Sequence, residues 1–83
     1  MLFLVKQIHT PTTCPKEKDG SRALYDPEAE GVTLKAMYGA FAEHIIYYLV
    51  EADDLAAVNQ FLDPGWLSRT SCVTPVSETP IQR

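Results

Sequence analysis

Between His44 and Glu51 the chain sets Ile45, Ile46, Tyr47, Tyr48, Leu49 and Val50 in unbroken succession, with no Gly, Pro or charge among them. β-Branched and aromatic side chains suit an extended strand, and a strand turns successive side chains to opposite faces. Both faces of this strand are apolar, so it belongs in the middle of a sheet with each side covered. Meeting that demand is hard for a chain of 83 residues, which has room for one domain and buries only about 60 to 65% of the surface its unfolded form exposes.

Three further strands and one helix read from the remaining pattern. Leu2 to His9 is a strand stopped by Pro11, with Leu2, Leu4, Lys6 and Ile8 on one face and Phe3, Val5, Gln7 and His9 on the other. Both faces begin apolar and end polar, as in a central strand whose far end reaches solvent or a site. Thr10 to Gly31 carries Pro11, Pro15, Gly20, Pro27 and Gly31, which predicts a long loop with at most a short helix around Ser21 to Tyr25. Loops of this length in compact domains tend to be functional or packed against something. Val32 to Ala40 is a second strand, with Val32, Leu34, Ala36 and Tyr38 on one face and Thr33, Lys35 and Met37 on the other, and Gly39 to Glu43 turns the chain into the His44 to Glu51 strand. Asp53 or Asp54 caps a helix whose Leu55, Val58, Phe61 and Leu62 recur at helical spacing until Pro64 and Gly65 end it. Ser68 to Val76 is the last strand, placed at an edge by Pro75. Residues 1–76 form a single domain, and 77–83 a polar tail with Ile81 as its one anchor.

This order is βαββαβ with a reduced first helix. Right-handed crossovers then predict an α+β, ferredoxin-like domain with a four-stranded antiparallel sheet in the order 4-1-3-2, in which the first and third strands lie side by side and are expected to run parallel. The helix covers one face. The other still carries apolar side chains, and a second copy is the cover available to so short a chain, so a homo-oligomer, at least a dimer, is expected.

The formal charge of −4 is scattered, and Glu17 interrupts the Lys16 and Lys18 pair, so the concentrated basic face that nucleic acid needs is missing. The opening apolar run, Met1 to Val5, is broken by Lys6, Gln7 and His9 before it reaches the length of a secretory or membrane segment. A cytoplasmic protein without a membrane partner is expected, with Cys14 and Cys72 as reduced thiols.

For chemistry, parallel first and third strands would carry His9 and Glu51 to one rim, with Cys14 in the loop above and Thr70 and Ser71 nearby. His9, Cys14 and Glu51 are therefore the ligand or metal candidates; the plainer reading has His9 closing a strand end through backbone hydrogen bonds. His44 is expected at the opposite end from His9. With Tyr38 and Tyr48 it forms a second candidate set for an apolar pocket, although core packing accounts for the tyrosines equally well. Lys16 and Lys18 would activate the Cys14 thiol and Glu17 and Asp19 would oppose them. Phosphate-binding Gly loops, Ser elbows and Cys-x-x-Cys pairs are absent from the sequence, and no catalytic residue or cofactor is assigned.

Four short elements carry a resemblance: His9-Thr10-Pro11-Thr12-Thr13-Cys14-Pro15, Glu43-His44, Val50-Glu51-Ala52-Asp53 and Val73-Thr74-Pro75-Val76. Together with the strand order they resemble small uncharacterised proteins of the dimeric α/β-barrel superfamily. That resemblance implies two sheets packed face to face across a dyad, and a first crossover that is helical in relatives but short and Pro-interrupted here. The superfamily spans monooxygenases, decarboxylase-like enzymes and stress proteins, so it implies no single activity. Two readings result. One is a small oligomeric domain binding a small ligand or metal near His9, Cys14 and Glu51; the other is a cofactor-free isomerase, decarboxylase or monooxygenase acting on a small apolar substrate inside the barrel.

Overall fold

A computed structural model forms one antiparallel sheet from β1 (Leu2–Ile8), β2 (Val32–Ala40), β3 (Ile45–Ala52) and β4 (Thr70–Val76), with α1 (Leu55–Phe61) connecting β3 to β4. The structure describes residues 1–13, 20–66 and 69–79. The strand order is β2-β3-β1-β4, which read from the other edge is the expected 4-1-3-2 and is compatible with a ferredoxin-like arrangement.

The directions of the central strands correct the sequence expectation. β1 and β3 are antiparallel, with Leu2 opposite Glu51 and Ile8 opposite Ile45. The reason is topological. A crossover returns the chain in its starting direction, so β2 runs with β1; the tight connection after β2 then reverses the chain, and β3 opposes both.

Alternation sorts the side chains. Phe3, Val5 and Gln7 of β1 and Ile46, Tyr48, Val50 and Ala52 of β3 are buried on the face that α1 covers. Asp54 caps α1 by accepting the Ala57 N–H at 2.9 Å, satisfying one of the donors a helix start leaves open. The helix is only two turns long, and burial of Val58 and Phe61, continued by Leu62 just beyond its end, holds it to the sheet; each such side chain contributes roughly 1.5–3 kcal/mol.

The described part of the first crossover covers the rest of this face without an α-helix. It makes short 3-10 turns at Pro11–Thr13 and Gly20–Ala23, then buries Leu24 and sets the Tyr25 ring against those of Tyr48 and Phe61, with centroids 5.5 and 5.2 Å away. The Asp26 N–H donates to the Phe61 carbonyl at 2.7 Å, tying the crossover to the end of α1.

β2 departs from simple alternation. The register shifts between Leu34 and Ala36, so Val32 and Leu34 oppose Ala52 and Val50 on the helix side, whereas Ala36 and Tyr38 oppose Leu49 and Tyr47 on the other. A β-bulge adds one residue to one strand and exchanges its faces; the expected common face of Val32, Leu34, Ala36 and Tyr38 is thereby divided.

Among the described residues no element covers the second sheet face. Leu2, Leu4 and Ile8 neighbour Ile45, Tyr47 and Leu49 there, flanked by Tyr38 and Val76 from the edge strands. The smallest molecular dimension, 18 Å, is that of one sheet with a single covering layer.

Candidate functional site

The end of the sheet where β1 finishes and β3 and β4 begin gathers two histidines and an arginine. Ile8 is paired with Ile45 on one side and with Thr70 on the other, so the preceding and following residues continue the register as a row, His44, His9, Arg69. By alternation from Ile46, Gln7 and Ser71 the three belong to the helix side. The His9 N–H donates to the His44 carbonyl at 3.0 Å, and the two rings meet edge to face with centroids 5.2 Å apart and planes at 84°.

His44 reaches this position through strained backbone. It closes the 3-10 turn Phe41–Glu43 in the left-handed region, at φ 58° and ψ 44°, and is the one non-glycine residue with positive φ among those described. Such a conformation costs roughly 1–2 kcal/mol for a residue with a Cβ. Strained residues concentrate where a side chain must be aimed.

Both imidazoles present a buried Nδ1 with no hydrogen-bond partner among the described residues, and His9 is only 8% exposed. Burial, the Arg69 guanidinium and His44 together hold the His9 pKa below 6.5, so its ring is neutral at pH 7. One strand position inward, Gln7 is fully buried, accepting from the Tyr48 hydroxyl at 2.8 Å and donating to the Leu24 carbonyl at 3.1 Å. Burial pushes the Tyr48 phenol far up, with Tyr25 adding and Arg69 opposing. Arg69 also lines a cleft of about 400 Å³ between the end of α1 and the start of β4, with Asn59, Leu62, Trp66 and Val73 among its walls.

The expected trio does not converge. The antiparallel register carries Glu51 to the far end of β3, opposite Leu2, where its carboxylate takes the Met1 ammonium. The hydrogen bond from that amino group, then its charge and that of Lys35, outweigh desolvation and hold the Glu51 pKa below the usual carboxylate range. Cys14 lies outside the described residues. Among the described residues no three His, Cys, Asp or Glu side chains cluster as a metal site would require. His44, expected opposite His9, is its neighbour. The second candidate set is divided as well: Tyr48 is a core residue bonded to Gln7, whereas Tyr38 lies 70% exposed on the open face. Thr70 does start β4 beside the end of β1, as expected, while Cys72 is a free, exposed thiol opposite Lys6.

Comparison with known protein families, with curated proteins and with solved structures finds no match. None of the described helices is long and apolar enough to cross a membrane.

Sequence reasoning missed Arg69 and the partnership of His9 with His44. The available signal was the tight turn before β3: once β3 opposes β1, the residue after β1 must meet the residue before β3.

Proposed function

We propose that this chain is a self-associating ferredoxin-like domain of the dimeric α/β-barrel kind, with a small-ligand site at the end of the sheet marked by His9. The observation that carries the reading is the open sheet face, on which Leu4 is 41% exposed and Tyr38 70%. Strands about 4.8 Å apart and seven residues rising about 3.3 Å each give a face of roughly 19 by 23 Å. Two such faces together remove on the order of 1,000 Å² from water, the size at which a specific interface becomes stable. A two-fold arrangement sets the same apolar residues of both copies against one another, which makes the face self-complementary.

Light scattering at micromolar concentration tests the association. The native chain should elute as a dimer or larger, and Leu49→Asp, which sets a charge opposite Leu4, should give a monomer with unchanged circular dichroism. A well-folded native monomer overturns the reading.

A further inference from the structure

The tie between the turn at Phe41–Glu43 and the end of β1 is built around a group that titrates, and what it suggests goes beyond self-association and ligand binding and depends on neither. None of the three turn residues is buried, so core burial does not hold the turn in place. The His9 N–H bonded to the His44 carbonyl, together with the edge-to-face contact of the two rings 5.2 Å apart, fastens it to β1. One pair further in, Ile8 stands opposite Ile45. Neither of that pair titrates.

The contact accepts the His9 ring in its neutral form. A neutral imidazole has one N–H and one lone pair, whereas the protonated ring donates from both nitrogens. His9 Nδ1 is buried without a partner among the described residues, and an N–H there without an acceptor would cost roughly 1–3 kcal/mol. The charge itself is opposed from two sides. Among the described residues, Arg69 before β4 and His44 before β3 act electrostatically on His9, both against protonation, and the Tyr48 phenol one position inward is pushed up and stays neutral. By leaving the contact the ring reaches water, which removes these costs.

Backbone strain points the same way. His44 holds φ 58° and ψ 44° where its ring meets that of His9, at a cost of roughly 1–2 kcal/mol. A turn free of β1 can shed that cost, so the strain adds to whatever acid does.

We infer that His9 and His44 form an acid-released latch: while the His9 ring is neutral the two rings hold the turn to the end of β1, and a proton on His9 parts them and opens this corner of the sheet, leaving the inner ladder paired.

Amide hydrogen exchange followed by NMR on the native chain tests this, each rate being compared with that of the unprotected amide at the same pH. Between about pH 7.5 and 5 the protection of the His9 N–H should fall on the order of tenfold. The Asp26 N–H on the Phe61 carbonyl and the Ala52 N–H on the Met1 carbonyl should keep theirs. His9→Asn should abolish the fall at the residue 9 amide, and His44→Asn, whose side chain tolerates left-handed backbone, should reduce it. Constant protection of the His9 N–H across this range overturns the latch. An equal loss at all three amides overturns it too, since the opening is then global. A fall at residue 9 that persists in full in both variants belongs to another group and likewise overturns the inference; should His9→Asn not fold, His44→Asn carries that comparison alone.

Discussion

The Tyr48 hydroxyl donates to Gln7 Oε1 across the two central strands, at 2.8 Å and out of contact with water. Because Gln7 Nε2 is spent on the Leu24 carbonyl, one amide satisfies the phenol of β3 and the backbone of the first crossover together. Tyr48→Phe leaves Gln7 Oε1 without its donor, and a loss of roughly 1–3 kcal/mol is expected in urea unfolding. Gln7→Leu orphans both the phenol and the Leu24 carbonyl and should cost more. The double variant should recover about 1 kcal/mol relative to the sum of the single losses; strict additivity would refute the coupling.

Gly65 is buried where an added Cβ would lie 3.0 Å from Arg69 Cγ and Gln7 Nε2 and 3.1 Å from the Leu24 carbonyl oxygen. The arginine can yield, but the carbonyl belongs to the backbone and the amide is fixed by two hydrogen bonds. Gly65→Ala should therefore destabilise by about 1–3 kcal/mol, seen as a lower Tm. An unchanged Tm would show that the crossover is free to move.

His44 can be separated into backbone and ring. Both His44→Ala and His44→Gly delete the imidazole and keep the carbonyl that receives the His9 N–H, but the glycine adopts φ 58° without penalty. The glycine variant should be about 1 kcal/mol more stable than the alanine variant. Equal stabilities would mean that the turn relaxes out of the left-handed region.

Folding should couple to the protonation of His9. Its folded pKa is lowered from 6.5 by burial, Arg69 and His44, so the unfolded chain binds the proton more readily. The stabilisation is whole above the unfolded value, declines as pH falls below 6.5, and levels off beneath the folded pKa. Unfolding free energies of native protein and His9→Asn, measured from about pH 7.5 down to 5, should converge on acidification. A gap that widens instead would reverse the sign of the shift and refute it.

Much of the scaffold was legible because local chemistry specified it. The run from Ile45 to Val50 demanded a central strand, the pair Asp53 and Asp54 announced the helix start without saying which of them caps it, and the two turn signals at Pro64 and Gly65 marked its end. Three features were not legible. The extra residue in β2 is invisible to a period-two pattern, since Lys35 reads as an ordinary outward side chain. Gln7 reads as a polar strand end because nothing nearby in sequence reveals that Leu24 and Gly65 will close over it. The site failed for a single reason of direction: with the central strands taken as parallel, His9 was matched to Glu51, and reversing one strand replaces that partner with His44.

The way the first crossover is fastened has a consequence for how the molecule is made. Leu24 and Tyr25 dock against Tyr48 and Phe61, and the Asp26 amide closes on the Phe61 carbonyl. β1 likewise finds both of its partners in later residues, at Ile45–Ala52 and Thr70–Val76. A nascent chain that has passed Ala40 therefore carries an apolar first strand and a crossover with no surface to settle on. Loop closure over such separations is slow compared with forming a local helix or hairpin. Emergence of the β2–β3 pair is the first event able to template the rest, and until then the leading segment travels as an unpaired strand edge, the form of the chain most exposed to wrong partners.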